Sequence, residues 1–289
     1  MPITNLNKKG FDLFKKGKIN NQIIIKINYK KERNITMSEK AYSNMIDQGV
    51  SYFKRCLDAK TPKNKISHAE KSLKYFKKAE AIARKLKIED KIAIMYEYIT
   101  QLYSIIAISN LQMKKLPETI DFFNKALKAN KKTKDNKNKF EREAFMLNEL
   151  AKLSARINLS AAVNYANRAL SLLKKLDDND KLDLLIDLNP VFYKALEPGK
   201  IYNNYKLMIK LVKKTGDKPK KAAIYFEYAK FLFEVKNKYN DALEYLNKAK
   251  TIYNAIHEYQ ASGIVEQYIK EHFDNDNRAI KDKKEEGSK

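Results

Sequence analysis

From Glu39 to Phe273 the apolar residues of this chain recur at three- and four-residue spacing almost without a break. That pattern restricts the fold more than any other feature of the sequence. Side chains at i, i+3, i+4 and i+7 share one face of an α-helix but scatter over both faces of a strand. The period is interrupted at Pro62, Pro117, Asn189-Pro190, Pro198-Gly199, Thr215-Gly216 and Pro219, residues that fix φ, remove a backbone donor or favour a turn. These points cut the region into segments of ordinary helix length. The expected pairs are 39–57 with 67–87, 90–112 with 117–131, 140–157 with 160–175, 181–195 with 200–214 and 220–236 with 240–256. One more helix is expected near 258–273, and Pro190 is expected to interrupt the first helix of the fourth pair. With 7 Gly and 6 Pro in 289 residues, a β-rich alternative lacks the turns it would need.

Helices in pairs call for a search for repeats. The second helices share a pattern of small residue, bulky apolar residue four later and small residue three after that. It reads Ser72-x3-Phe76-x2-Ala79, Thr119-x3-Phe123-x2-Ala126, Ala162-x3-Ala166-x2-Ala169 and Ala242-x3-Leu246-x2-Ala249. Tyr205-x3-Ile209-x2-Val212 keeps the period with bulky residues at the small positions. The first helices carry Gly49-x2-Tyr52, Tyr103-x2-Ile106-Ala107, Leu147-x2-Leu150-Ala151 and Tyr225-x2-Tyr228-Ala229. This resembles the tetratricopeptide repeat, whose first helix reads W-x2-L-G-x2-Y and whose second reads A-x3-F-x2-A. The last small position recurs at 79, 126, 169, 212 and 249, a longer spacing than the family's usual ~34 residues. The resemblance covers 39–273 and implies an all-α fold: a right-handed superhelix of five antiparallel pairs with a C-terminal capping helix. It also implies a scaffold that binds another protein or a peptide, not an enzyme.

The formal net charge is +24, yet only 7 of the 59 basic residues are Arg. Lys acts as a solvated point charge and lacks the planar fork suited to bidentate phosphate and base contacts, so the charge alone does not assign nucleic-acid binding. Cys56 is the one cysteine, which excludes an intrachain disulfide and suits a reducing, cytoplasmic setting. No apolar run approaches the ~18 residues of a membrane span. Residues 1–38 are expected to be a basic, disordered segment, with a targeting segment or sequence upstream of a start at Met37 as alternatives. The polar stretch 274–289 is expected to be disordered too.

Searching for chemistry yields no catalytic, metal or cofactor set. No phosphate-cradling Gly-rich loop is present. His68, His257 and His272 are far apart and outside metal-binding frames, and the carboxylate pairs Asp177-Asp178 and Glu285-Glu286 read as solvated. The aromatics Tyr103, Tyr225, Tyr228, Phe76 and Phe123 fall on packing positions of the repeat. The resemblance implies a groove lined by first helices. Placing Leu147 at position 4 of its repeat puts Phe145, Asn148, Lys152, Ala155 and Arg156 on that lining. The first pair contributes Phe53 and Lys54 beside Ser43, Ile46 and Val50, and the fifth contributes Phe226 and Lys230 beside Phe233 and Glu234. The second offers Ser104, Ile108, Leu111 and Gln112, with no cation. Asn148, Lys152 and Arg156 at i, i+4 and i+8 suit a carboxylate-bearing peptide. The alternative is a polyanion or nucleic-acid ridge on Lys-rich connecting loops, using Lys131, Lys132, Lys134, Lys213, Lys214 and Lys218. The loop between those two, 174–181, holds three Lys and three Asp, which breaks such a ridge.

Overall fold

The computed structural model describes residues 36–274 and contains helices joined by short turns. They are α1 (Met37–Asp58), α2 (Pro62–Lys85), α3 (Glu89–Gln112), α4 (Leu116–Asn130), α5 (Lys137–Ser154) and α6 (Leu159–Ser171), then a 3-10 turn at Leu173–Lys175. After it come α7 (Asp178–Lys194), α8 (Pro198–Thr215), α9 (Lys218–Glu234), α10 (Tyr239–Ala255) and α11 (Tyr259–Ile269), whose end widens into a π turn at Lys270–Asp274. The helices form two compact units, one ending at Lys175 and the other beginning at Leu176. The first holds the pairs α1–α2, α3–α4 and α5–α6; the second holds α7–α8, α9–α10 and α11. Residues 1–35 and 275–289, including Glu285-Glu286, lie outside the described residues.

Prolines open helices as their fixed φ dictates. Pro62, Pro117, Pro198 and Pro219 occupy the first or second helical position of α2, α4, α8 and α9, where a missing N–H costs nothing. Thr61, Asn136, Asn158, Asp177 and Asp217 each cap a helix start through a side-chain oxygen. Thr36 and Glu39 form a reciprocal capping box on α1. At Pro190 the expectation of a break was wrong, because α7 runs through it to Lys194. Pro190 and Ile186, whose carbonyl loses its partner, both sit on the exposed side, where water can replace the lost bond. Leu182, Leu185, Leu188 and Phe192 bury the opposite side and hold the helix together across the proline.

The small repeat positions are where paired helices meet. A methyl added at Gly49 would stand 3.1 Å from Cε1 and Cζ of Phe76, and the buried Ser72 hydroxyl donates to the Gly49 carbonyl at 2.7 Å. Ala79, Ala126, Ala162, Ala166, Ala169, Ala242 and Ala249 are wholly buried. Phe76, Phe123, Phe192 and Phe231 fill the space between helices, each burial stabilising by about 1.5–3 kcal/mol. Tyr205, Ile209 and Val212 are buried at their bulky positions, and α7 and α8 also bury an amide pair, Asn204 Nδ2 donating to Asn189 Oδ1 at 2.8 Å.

One expectation about hydropathy needs correcting. By length and composition α3 could cross a bilayer, and 61% of its most apolar stretch is buried within the protein. Burial from Met95 to Asn110 reads as a core helix. Its hydroxyls Thr100 and Ser104 bond back to carbonyls one turn earlier, which hid the apolar run from a search for uninterrupted hydrophobics.

Candidate binding faces

In the first unit the sequence-predicted lining residues separate. Phe53 is 3% exposed and meets Tyr98 edge-on at 5.3 Å, so it belongs to the core beneath the first-helix face. Lys54 is exposed. On α5, Phe145 is half-buried and packs edge-on with Phe123 at 6.2 Å. Asn148 is 6% exposed, and the Lys152 ammonium lies 2.5 Å from Glu149 on the same helix. Arg156 is displaced from the expected stripe. α5 ends at Ser154, and the Ser154 carbonyl accepts from the N–H groups of Ile157 and Asn158 as the chain turns toward the Asn158 cap. Arg156 is therefore an exposed turn residue, off the helix that carries Asn148 and Lys152.

Between the first helices α1 and α3 a small apolar cavity of about 100 Å³ is lined by Tyr42, Ile46, Phe76, Lys91, Ile94, Met95 and Tyr98. Ile46 is one of the positions placed on the groove by repeat register. Phe76 comes from α2 and stacks on Tyr98 at 5.1 Å. Lys91 is the single charged residue of the lining, its ammonium 5.5 Å from the centre of the Tyr42 ring.

The second unit carries a different face on its first helices α7 and α9 and on α11. Phe226, Glu227, Lys230, Phe233 and Glu234 line α9 at helical spacing. Lys230 lies 3.6 Å from Glu227 and 5.6 Å from the Phe226 ring centre. The Tyr268 hydroxyl, from α11, donates to Glu234 at 2.9 Å, while the Tyr268 ring meets Phe226 at 5.8 Å and Phe233 at 6.3 Å. The π turn places His272 4.3 Å from the Tyr268 ring, and His272 and Phe273 against Phe233 at 5.3 and 4.9 Å. From the other side, α7 brings Tyr193 edge-on to Phe231 at 6.0 Å. Burial, reinforced by the Glu227 and Glu234 charges, pushes the Tyr193 phenol up to about 12. Burial and the Glu234 and Glu227 carboxylates raise Tyr268 as well. Sequence mapping found Phe226, Lys230, Phe233 and Glu234 but not Tyr193 or Tyr268, because α11 carries no repeat motif and the fourth pair was read without a groove register.

Several cations of the alternative ridge are already engaged. Lys132 donates to the Tyr96 hydroxyl at 2.9 Å and lies over its ring, Lys134 lies 3.1 Å from Asp90, and Lys214 lies 3.1 Å from Asp178. Lys139 turns inward at 9% exposure, donating to Asp135 at 2.7 Å and to the Thr133 carbonyl at 3.1 Å. Lys131, Lys213 and Lys218 are exposed. The lone cysteine is unsuited to act as a nucleophile. Burial raises the Cys56 thiol to about 11, and its Sγ donates to the Lys65 carbonyl at 3.2 Å, so it stays protonated near neutrality. His68 stacks on Tyr52, and Nδ1 of His257 lies 2.9 Å from the Tyr259 hydroxyl. Asp177 caps α7, and Asp178 pairs with Lys181 and Lys214.

No protein-family model matches the chain, and no curated protein does. Solved structures do. The apo form of RapI superposes with a TM-score of 0.55 at 14% identity, over 96% of this chain and 73% of that one. BtubC from P. vanneervenii gives 0.49 at 13% identity, over 77% and 93%. The Rap conjugation gene regulator of plasmid pLS20, solved with the Phr* peptide, gives 0.40 at 18% identity, over 83% and 67%. At these identities likeness speaks for fold alone, and it rests on the first of the three. Together with the paired helices and their small-residue contacts, it establishes a tetratricopeptide-like helical-repeat fold.

Proposed function

We propose that this chain is a protein-interaction scaffold that holds a peptide or an extended segment of a partner along its first-helix faces. The observation that carries this reading is the apolar cavity between α1 and α3, whose lining includes Ile46, a position that repeat register assigns to the groove. Exposed apolar concavities with few polar groups are where ligands dock. One apolar side chain of a bound segment fills the cavity, and Lys91 at its edge meets a main-chain or side-chain oxygen. On α5, Asn148 and Lys152 extend the polar lining, with Lys152 exchanging Glu149 for a carboxylate of the partner.

The test is a peptide-display selection against the full chain, followed by affinity measurements on the selected peptides. Ile94→Asp places a charge in the cavity without touching the helix-pair contacts. It is expected to weaken binding about tenfold or more, since an unpaired charge in an apolar site is strongly disfavoured. Melting should stay near that of the parent. Failure to select any peptide, or peptides that bind Ile94→Asp equally well, would sink the reading. Preferential binding to duplex DNA, with affinity falling steeply as salt rises, would instead favour the connecting-loop lysines.

A further inference from the structure

On the candidate face of the second unit, α9 carries two carboxylates, Glu227 and Glu234, and the ammonium of Lys230 is turned to the first of them. We propose that it is a receptor for a cationic side chain, an Arg or Lys on the bound segment of a partner, with Glu234 as counter-ion and Phe233 and Tyr268 as flanking rings. The inference rests on the scaffold reading and names the chemistry that this part of the scaffold selects.

Three observations converge on Glu234. First, its hydrogen bond comes from a neutral donor, the Tyr268 phenol at 2.9 Å. Among the described residues no cation lies within ion-pair distance of it, in a chain with 59 basic residues. The nearby ammonium, Lys230, is turned to Glu227 one turn earlier. Second, the surroundings are aromatic. Tyr268 touches Phe226 and Phe233, and His272 and Phe273 close on Phe233 from the π turn. All of these rings are half-buried, so they are accessible at their edges yet lower the local polarity. Third, both carboxylates reach the neighbouring helices: burial is the main cause that raises the Tyr193 and Tyr268 phenols, and the Glu227 and Glu234 charges add to it.

An exposed carboxylate bordered by half-buried aromatic rings can hold an ammonium or guanidinium. The charge-assisted bond supplies direction, and the rings supply apolar contact for the methylene stem behind the charge. A carboxylate ligand finds no such fit, because two anions face it against one cation that is already paired. The expectation of an acidic partner, drawn from Asn148, Lys152 and Arg156 in the first unit, therefore does not extend to α9.

Arginine ethyl ester serves as the probe, titrated into the full-length protein while the aromatic NMR signals of Tyr268 and His272 are followed. A saturable shift is expected, and N-acetylglutamate at equal ionic strength should leave these signals unmoved. Glu234→Gln keeps an acceptor for the Tyr268 hydroxyl and removes only the charge. It should weaken the ester about tenfold or more while circular dichroism stays unchanged. Lys230→Gln removes the competing cation and should tighten binding about two- to fivefold. Absence of a saturable shift, an undiminished shift in Glu234→Gln, or equal saturation by N-acetylglutamate overturns the proposal. Its failure is distinct from failure of the scaffold reading. Selected peptides that bind Glu234→Gln unchanged would remove the cation site and leave the scaffold, whereas a display that selects nothing would remove the scaffold while the ester titration still decides this site.

Discussion

Gly49 is the position at which the repeat assignment is most exposed to refutation. Replacing a helix-interior Gly with Ala ordinarily stabilises by about 0.5–1 kcal/mol, because Gly loses more backbone freedom on folding. At Gly263, in α11, nothing lies within 4 Å of an added methyl, and Gly263→Ala should show that full gain. At Gly49 the methyl would lie 3.1 Å from two carbons of the Phe76 ring and 3.2 Å from a third. The ring is wholly buried and stacked on Tyr98 at 5.1 Å, so a shift toward the neighbouring cavity would give up that stacking. The helices cannot part freely either, since Ser72 donates to the Gly49 carbonyl across the same contact. Overpacking of this kind costs about 1–3 kcal/mol, so Gly49→Ala should be destabilising by about 0.5–2 kcal/mol net. Urea unfolding followed by circular dichroism measures both variants, and a cycle with Phe76→Leu isolates the contact. The methyl should cost markedly less once the ring is gone, giving a coupling of about 1 kcal/mol or more. A Gly49→Ala protein as stabilised as Gly263→Ala, or a cycle that is additive, would mean that α1 and α2 do not approach as the repeat requires.

Three further outcomes follow from local geometry. Leu196 closes α7 at φ 54°, and the next N–H, of Glu197, bonds back to the Phe192 carbonyl. Its side chain is 85% exposed, so Leu196→Gly should relieve left-handed strain without losing packing and raise stability by about 0.5–1 kcal/mol in urea titrations. Pro190→Ala restores the N–H facing the Ile186 carbonyl inside α7 and should stabilise by about 1–2 kcal/mol in the same assay, the gain from the bond exceeding the lost unfolded-state restriction. For Cys56 the folded thiol is raised above its unfolded value, so its contribution is fully present below pH ~8.5 and is lost as pH climbs toward about 11. Thiol-reactive dye should label native protein slowly across that range, and Cys56→Ala should flatten part of the alkaline fall in melting temperature.

What the sequence made legible is what a period can encode. Gly49, Ser72, Ala79, Ala126 and Ala249 announce close helix contacts because each stands at a fixed offset from a bulky neighbour, and all lie buried at those contacts. Helix starts were legible to within two residues at Pro117, Pro198 and Pro219, but the helix expected from 67 begins at Pro62, because a proline read as a break opens the helix. Arg156 was misplaced because apolar spacing continues past Ser154 while the backbone turns to use Asn158 as the next cap. Pro190 misled in the opposite direction: its local penalty is real, but it falls on the exposed side of a helix whose other side is held by buried leucines. Phe53 shows the limit of register itself. Its position predicts a face, and the neighbouring first helix then covers it with Tyr98. The same limit hid the chemistry around Glu234. A register assigns one helix at a time, whereas the sign of a binding face depends on which cations have found partners and which rings the next helix delivers. Lys230 reads as a free cation in the sequence and is answered by Glu227 in the fold. Glu234 reads as one more surface acid until α11 brings Tyr268 against it. In a chain of net charge +24, the proposed selectivity of α9 for a cation would thus come from one place where a neighbouring helix brings rings beside a carboxylate, and the total charge says little about such a place.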